Sequence, residues 1–365
     1  MFKKRLIIFM PTIDGGGVEK NLFIVSNHLV KKINDISIIT TSKSKVKKFN
    51  KDIKIIAPKR KFWENASRKL KYLISFFILI NEILKNKEIV VFSFQANLYC
   101  VLLCKLFSVK IIIRSNFSPT GWSDNFYYKY LYKFFLKKAD SIIVNSKEFK
   151  AEMKKKFDIE TECILNPLNK KEIIKLSRKK VKPIYSRKSA LKIINVGRLV
   201  YQKNQIILLK ALNLLKDKIN FELVIMGRGN LKNTLEEFIS KNNLSSKIKI
   251  IDYTENPCRY MKQADVVILT SKFEGLPNVL LEALVLNKFV ISSKCPTGPK
   301  EILLNGKIGL LFNQENYKEL SKKILYFSNK KSSLIKKSKK YFFKLKRYDY
   351  NVNLNKYFKL VNNFL

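Results

Sequence analysis

Glycine and proline are scarce in this chain, 11 and 9 of 365 residues, which excludes a collagen-like or linker-like protein. Cysteine is used five times, as Cys100, Cys104, Cys163, Cys258 and Cys295, an odd number with no C-x-x-C. That scatter is expected of buried free thiols in a reducing compartment, with Cys100 and Cys104 sharing one helix face four residues apart. Long apolar runs are missing. Residues 2–10 are apolar and basic, but Pro11 ends them and glycines follow where a small-residue cleavage site would stand, so no signal peptide is expected. The longest apolar run elsewhere, residues 72–80, falls far short of the roughly 20 needed to span a bilayer. The expectation is a soluble or peripheral, cytoplasmic chain.

Acidic residues are few, 28 against 73 Lys and Arg, which leaves a formal net charge of +45. Such an excess points to a polyanion, either nucleic acid or an anionic membrane. Lys, Ile, Asn, Phe and Tyr are abundant together, and their codons are AT-rich, so a biased genome explains part of it without any partner. No zinc-ligand spacing or aromatic RNA-binding signature is present and the cations are spread along the chain, so nucleic acid is not the expected partner.

What the chain does have is alternation. At 46% hydrophobic residues it is globular, and its length suits two domains. Short β-rich runs at 6–10, 36–40, 89–94, 111–113 and 142–144 alternate with helical spacing, the pattern of a parallel sheet covered on both faces. Residues 169–190 are polar, basic and broken by Pro183, and read as a linker. A second series follows at 191–196, 223–226, 248–251, 266–269 and 289–292. The expected architecture is α/β: a Rossmann-like domain over 1–168, a second over 191–345, and a C-terminal helix at 346–365 that packs on one of them. Two doubly wound domains of this kind would face a cleft.

Three constellations sit where such strands end. Gly197 and Arg198 directly follow a strand and Lys203 lies five residues on; two cations at a strand's carboxyl end suit a diphosphate. A second strand runs into Gly227-Arg228-Gly229, where glycines permit close backbone approach, to a ligand or merely within a turn. The third is Thr270-Ser271-Lys272-Phe273-Glu274-Gly275-Leu276-Pro277-Asn278-Val279-Leu280-Leu281-Glu282-Ala283-Leu284. Pro277 fits a helix's first turn, and the segment before it brings amides and a positive dipole end to the sheet edge, an anion site. Glu274 in the loop and Glu282 inside the helix could each hold a diol; the plainer alternative is a cap and a surface charge.

The run from Glu274 to Glu282 resembles the E-x7-E signature of glycosyltransferase family 4, retaining enzymes of the GT-B fold. Gly197-Arg198 with Lys203, the Gly-x-Gly, Ala264-Asp265 and Glu301-Ile302 keep that family's order and spacing. Gly15-Gly16-Gly17-Val18-Glu19 resembles its glycine-rich acceptor-side loop, and residues 295–303 are similar to bacterial members that build surface polysaccharides and lipid-linked oligosaccharides. The resemblance implies a cytoplasmic enzyme, peripheral on the inner membrane. It would transfer a hexose or N-acetylhexosamine from a nucleotide sugar, UDP being the common donor, to a glycan or lipid-linked acceptor. Arg198 and Lys203 would neutralise the diphosphate and Glu282 would hold the ribose. Glu274 would bind the sugar with the amides of Gly275, Leu276 and Asn278, while Gly197 and Gly227 line the donor site and Tyr253 flanks the base. Gly16, Gly17, Arg114 and Asn116 would lie on the acceptor side. No metal or other cofactor is implied, and no Asp-x-Asp occurs to hold one. The chain departs from the family in two places. His28, its one histidine, lies in the first helix, whereas the reaction-centre loop that carries histidine in many relatives reads Arg114-Ser115-Asn116; Asp252 stands where relatives have glycine. A sugar-nucleotide epimerase, a nucleotide-binding scaffold and a basic nucleic-acid binder are the rival readings.

Two stretches combine cations with aromatic rings. Residues 59–87 hold Lys59, Arg60, Lys61, Trp63, Arg68, Lys69 and Lys71 beside the apolar run 72–80. Residues 125–138 interleave Tyr127, Tyr128, Tyr130, Tyr132, Phe134 and Phe135 with Lys129, Lys133, Lys137 and Lys138. An anionic membrane surface is the expected partner of both.

Overall fold

A computed structural model describes residues 4–13, 15–116 and 126–365, without the side chains of residue 61 and residues 126–129. The expected contributions of Lys61, Asn125, Tyr127, Tyr128 and Lys129 therefore lie outside what is described. The chain divides into two compact units, Met1–Pro167 with Tyr350–Leu365, and Leu168–Asp349.

Unit one is built on β1 (Arg5–Phe9), β2 (Ile36–Ile39), β3 (Lys54–Ile56), β4 (Ile89–Ser93), β5 (Lys110–Arg114), β6 (Ser141–Val144) and β7 (Glu162–Cys163). They form one sheet in the order β3-β2-β1-β4-β5-β6-β7, with parallel pairing at each step. Helices α1 (Gly17–Leu29), α2 (Arg68–Lys85), α3 (Asn97–Leu106), α4 (Phe126–Leu136) and α5 (Lys147–Phe157) supply the crossovers. Strand side chains alternate between faces. Leu6, Ile8, Val90, Phe92 and Ile112 pack with α1 on one side, and Ile7, Phe9, Val91, Ile111 and Ile113 pack with α2, α3 and α5 on the other. Both faces are therefore apolar, and the strands read as unbroken Ile/Val/Phe runs.

Unit two holds α6 (Lys170–Ser177), β8 (Leu191–Val196), α7 (Gln205–Asn213), β9 (Phe221–Met226), α8 (Lys232–Lys241), β10 (Ile248–Ile251), α9 (Cys258–Met261), β11 (Val266–Leu269), α10 (Asn278–Val285), β12 (Phe289–Ser293), α11 (Pro299–Ile302), β13 (Leu310–Phe312) and α12 (Tyr317–Lys339). Its sheet runs β10-β9-β8-β11-β12-β13, again parallel.

One segment differs from a reading of composition. The stretch 169–190, read as a linker, begins with α6, which Asn169 caps through a 3.0 Å bond to the Glu172 amide and which packs on α9 and α10. The C-terminal helix α13 (Tyr350–Asn362) returns to unit one, where Leu354, Tyr357 and Val361 join the cluster beneath α1.

No two cysteines are bonded among the five. Cys100, Cys104, Cys258 and Cys295 are buried and Cys163 is half-buried. Burial pushes the Cys100 thiol up to about 12, and burial beside Cys100 raises that of Cys104 as well. The folded protein at pH 8 should therefore titrate at most one fast thiol with an aromatic disulfide reagent, Cys163, and five after denaturation. Two or more fast thiols in the native state would contradict this packing.

Candidate active site

In unit two the strand order reverses between β8 and β11, which pair directly through Ile193 with Val266 and Ile194 with Val267. Such a switch point opens a crevice at the strands' carboxyl ends. The loop after β8 carries Gly197 and Arg198, then a short 3-10 turn, Tyr201–Lys203. Asn204 follows in the left-handed region at φ 51°, and α7 starts from it. The Lys203 stem passes over Gly197, where a β-carbon would lie 3.4 Å from its Cδ. The loop after β11 carries Ser271 and Glu274.

The two loops meet. Lys203 Nζ donates to Glu274 Oε1 at 2.5 Å and Ser271 Oγ donates to the same oxygen at 2.6 Å. Among the described residues no partner falls on Oε2, which leaves an acceptor for a ligand hydroxyl. Backbone and side-chain bonds fix the approach. Thr270 Oγ1 donates to the Lys203 carbonyl at 2.9 Å, Gln202 Nε2 to the Phe273 carbonyl at 2.8 Å, and the Lys272 amide to the Gln202 carbonyl at 2.8 Å. Lys272, though inside the motif, is committed elsewhere: it pairs with Glu315 at 2.6 Å over the Tyr201 ring. Arg198 stays exposed, held by Gln202 at 3.1 Å.

A third loop, after β12, shapes the segment between Glu274 and α10. The Glu274 amide donates to the Pro296 carbonyl at 2.6 Å, and the Thr297 hydroxyl donates to the carbonyls of Glu274 at 3.2 Å and Gly275 at 2.9 Å. Gly298, at φ 96°, lies so close that a β-carbon would stand 2.7 Å from the Gly275 carbonyl. With its carbonyls tied to this loop, the segment leads into α10, whose first residue is Asn278. Pro277 caps it, one position earlier than the first-turn place expected. Leu276 is buried, and Glu282 sits in the second turn, 6% exposed among Leu280, Leu281, Ala283 and Leu284. A carboxylate so placed is no solvated surface charge.

Gly227 serves the loops rather than open space. The Gly197 amide donates to the Met226 carbonyl at 3.0 Å and the Leu199 amide to the Arg228 carbonyl at 2.9 Å. A β-carbon on Gly227 would lie 1.9 Å from the Gly197 carbonyl oxygen. Tyr253, past the end of β10, is partly exposed with the Arg228 guanidinium 5.0 Å over its ring, and Asp252 faces Lys232 at 3.6 Å.

Of the residues expected on the acceptor side, Gly16 precedes α1 and Gly17 is its first residue; Gly15 takes φ 89°. The Thr12 amide and hydroxyl both donate to Gln95 Oε1, joining the ends of β1 and β4 at unit one's own switch point. Arg114 was expected on the acceptor side too. It is 1% exposed, and its guanidinium donates to Tyr357 Oη at 2.9 Å, to Asn166 Oδ1 at 2.8 Å and to Asn116 Oδ1. These bonds fasten α13 to the sheet. Asn116, half-buried, spends its amide on the Phe94 carbonyl at 2.8 Å. His28 lies in α1 beside Asn355 of α13; burial and Lys32 lower its pKa, so it is a neutral packing residue. Among the described residues no three of His, Cys, Asp and Glu gather to hold a metal ion.

Ser271, Gln202, Thr297 and Arg228 were assigned no role from sequence. Ser271 stands three residues before Glu274 and Gln202 adjoins Lys203, so the first two had a signal in their spacing. Thr297 lies in the 295–303 stretch that carries the resemblance, but its partners are more than twenty residues away, so spacing did not assign it this task.

Comparison with known proteins follows this geometry. Residues 15–170 match the family model Glycosyltransferase Family 4, and residues 177–344 match Glycosyl transferases group 1. A Campylobacter jejuni N-acetylgalactosamine-N,N'-diacetylbacillosaminyl-diphospho-undecaprenol 4-alpha-N-acetylgalactosaminyltransferase is 31% identical over 52% of this chain and 50% of its own. A second C. jejuni protein, GalNAc-alpha-(1->4)-GalNAc-alpha-(1->3)-diNAcBac-PP-undecaprenol alpha-1,4-N-acetyl-D-galactosaminyltransferase, is 25% identical over 88% of both chains. The chain spans about half the length of the curated relatives it matches at 30% identity or more across more than half of its own residues. In fold it is similar to Anabaena HepE in complex with UDP-glucose, with a TM-score of 0.76, 14% identity and coverage of 99% and 100% of the two chains.

The Gly227 contact is directly testable. Gly227→Ala must displace the loop that carries Arg198 and Lys203, an overpacking strain of about 1–3 kcal/mol. Calorimetry should show a fall of several degrees in the melting midpoint. An unchanged midpoint would mean that this loop is not held as described.

Proposed function

The chain belongs to Glycosyltransferase Family 4 over its first half and to the glycosyl transferases group 1 over its second, and from that membership we propose that it is a retaining, metal-independent glycosyltransferase. It moves a hexose or N-acetylhexosamine from a UDP-sugar to a glycan or lipid-linked glycan during surface-polysaccharide or glycan synthesis. The observation that carries this reading is the Lys203–Glu274 pair at the switch point of unit two. The names of the C. jejuni relatives give undecaprenol-diphosphate acceptors, and UDP-glucose is bound in the Anabaena protein; both support the reading. A lipid-linked acceptor places the enzyme at an anionic membrane surface, on the cytoplasmic face of the inner membrane.

In the proposed mechanism the diphosphate meets Arg198, Lys203 and the amino end of α10, which together stabilise its growing charge. The bond from the sugar's anomeric carbon to the diphosphate oxygen breaks. The acceptor oxygen bonds to that carbon on the same face, and its proton passes to the departing diphosphate. No protein base is needed, and the protein's part is charge stabilisation and positioning. Glu274 orients the sugar hydroxyls while Ser271 and Lys203 orient Glu274. Glu282 takes the ribose diol and Tyr253 flanks the base.

Three outcomes follow. Glu282→Ala removes hydrogen bonds to a charged group, worth about 1.5–3 kcal/mol, so UDP affinity by calorimetry should fall roughly 10- to 150-fold. Glu274→Gln should reduce turnover far more than it weakens UDP binding; wild-type turnover in both variants would sink the site assignment. Transfer should persist in EDTA, and a loss restored only by Mg²⁺ or Mn²⁺ would overturn the metal-free mechanism.

A further inference from the structure

Helix α2 is apolar on both faces: Leu79 and Ile83 enter the core, and a second apolar stripe faces outward. Leu70, Leu73, Phe77 and Leu84 are exposed, the last at 63%, and their spacing of three, four and seven puts them on one stripe. Its inward face carries polar groups among the apolar ones. Ser75 is buried beside Leu79 and Ile83, and Glu82 pairs with Arg5 at 2.8 Å and Lys85 at 2.9 Å. Solvent alone would select polar residues along the outward stripe.

The neighbouring helices repeat the arrangement. Tyr99, Leu102 and Leu106 are exposed along α3, Leu106 at 80%, and Tyr130, Leu131 and Phe134 along α4. Phe76 of α2 meets Tyr99 of α3 with ring centroids 6.0 Å apart, and α3 packs on α4. Buried residues of all three helices join one core cluster, so the helices cover the same face of the unit-one sheet. Soluble proteins rarely leave three adjacent apolar stripes to water without a partner.

Charge identifies the partner. Lys59, Arg60, Arg68 and Lys69 are exposed at the start of α2, and Lys137 and Lys138 beyond α4. Exposed Phe62 lies against Trp63 just before α2, ring centroids 4.4 Å apart, and a cavity of about 500 Å³ opens there, lined by Lys59, Arg60, Lys85, Trp63 and Ile78. Among the described residues no helix is long and apolar enough to cross a membrane, and amphipathic stripes flanked by cations are of the kind that lies along a bilayer surface.

We infer that the α2–α3–α4 face of unit one rests on an anionic lipid bilayer, with Leu73, Phe77, Leu84 and Leu106 dipping into the acyl boundary and Arg60 and Lys69 against the headgroups. The inference rests on the membrane location proposed above and names the surface that meets it. Apolar burial and charge act together, so neither alone holds the protein firmly.

The test is co-sedimentation of the full chain with vesicles of phosphatidylcholine alone or with phosphatidylglycerol, each at 0.1 and 1 M salt. Two variants are compared, Arg60→Glu/Lys69→Glu and Leu73→Ser/Phe77→Ser/Leu106→Ser. All five side chains are exposed, so both variants should keep the wild-type circular dichroism and UDP binding. Wild-type protein should pellet with the anionic vesicles and be released at 1 M salt, where screening shortens from about 10 Å to about 3 Å. The charge variant should partition about 30-fold less, and the apolar variant should also be released. Wild-type protein that ignores both vesicle types removes the membrane location itself. Binding that survives in both variants overturns this face and leaves the location standing. Equal binding to neutral vesicles overturns the role of charge. A dimer in size-exclusion that the apolar variant abolishes, with vesicle binding intact, gives the face to a second copy of the chain and overturns the inference.

Discussion

Lys203 and Glu274 come from loops 71 residues apart and meet with only 16% and 9% of their side chains exposed. Removing two charges from water costs several kcal/mol per ion, and the pair persists only if its geometry is enforced. The enforcement comes from the sheet. β8 delivers the lysine, β11 the glutamate, and their direct pairing sets the distance between the loops. Ser271 adds a second bond to the carboxylate, and Gln202, Thr270 and the Lys272 amide sew one loop to the other. Thr297 and Gly298 then hold the following segment so that α10 begins where an anion can meet its amino end. Even the Gly-x-Gly belongs to this scheme, because only a missing β-carbon lets the β8 loop lie against the end of β9.

Unit one uses buried polarity differently. Arg114 is a fully buried cation whose bonds go to a phenol and two amides, and these tie together β5, the chain beyond β7 and the C-terminal helix. A charge so enclosed is costly to strand, so the arrangement fastens α13 to a sheet that lies far from it in sequence. Outside, α2 to α4 present apolar side chains where lysine would be ordinary in so basic a chain.

Much of the fold was legible because parallel strands buried on both faces leave unmistakable runs: 191–196, 248–251 and 266–269 match β8, β10 and β11 residue for residue. The strands that escaped notice, β3, β7 and β13, are two or three residues long, too short to show periodicity. The α6 segment escaped because its composition is polar and basic although Ile173 is buried. Of the candidate site residues, Arg198, Lys203 and Glu274 were picked out in loops after strands and Glu282 inside the helix that follows; the structure brings Lys203 to Glu274 and buries Glu282. The fate of Arg114 was not legible, since Tyr357 lies 243 residues away. The apolar stripe on α2 was hidden for a related reason: a run such as 72–80 reads the same whether its residues face the core or the outside.

The central claim is that Lys203 is held by Glu274 so that it can receive a nucleotide diphosphate. Titration calorimetry of UDP into wild-type protein, Lys203→Met and the double variant Lys203→Met/Glu274→Gln tests it most directly. The double variant removes the lysine without leaving a buried carboxylate unpaired, so a loss there reports on the ligand and not on a damaged site. The account predicts that both variants bind UDP roughly 10- to 150-fold more weakly, the value of charge-assisted hydrogen bonds. Wild-type UDP affinity in the double variant would contradict it.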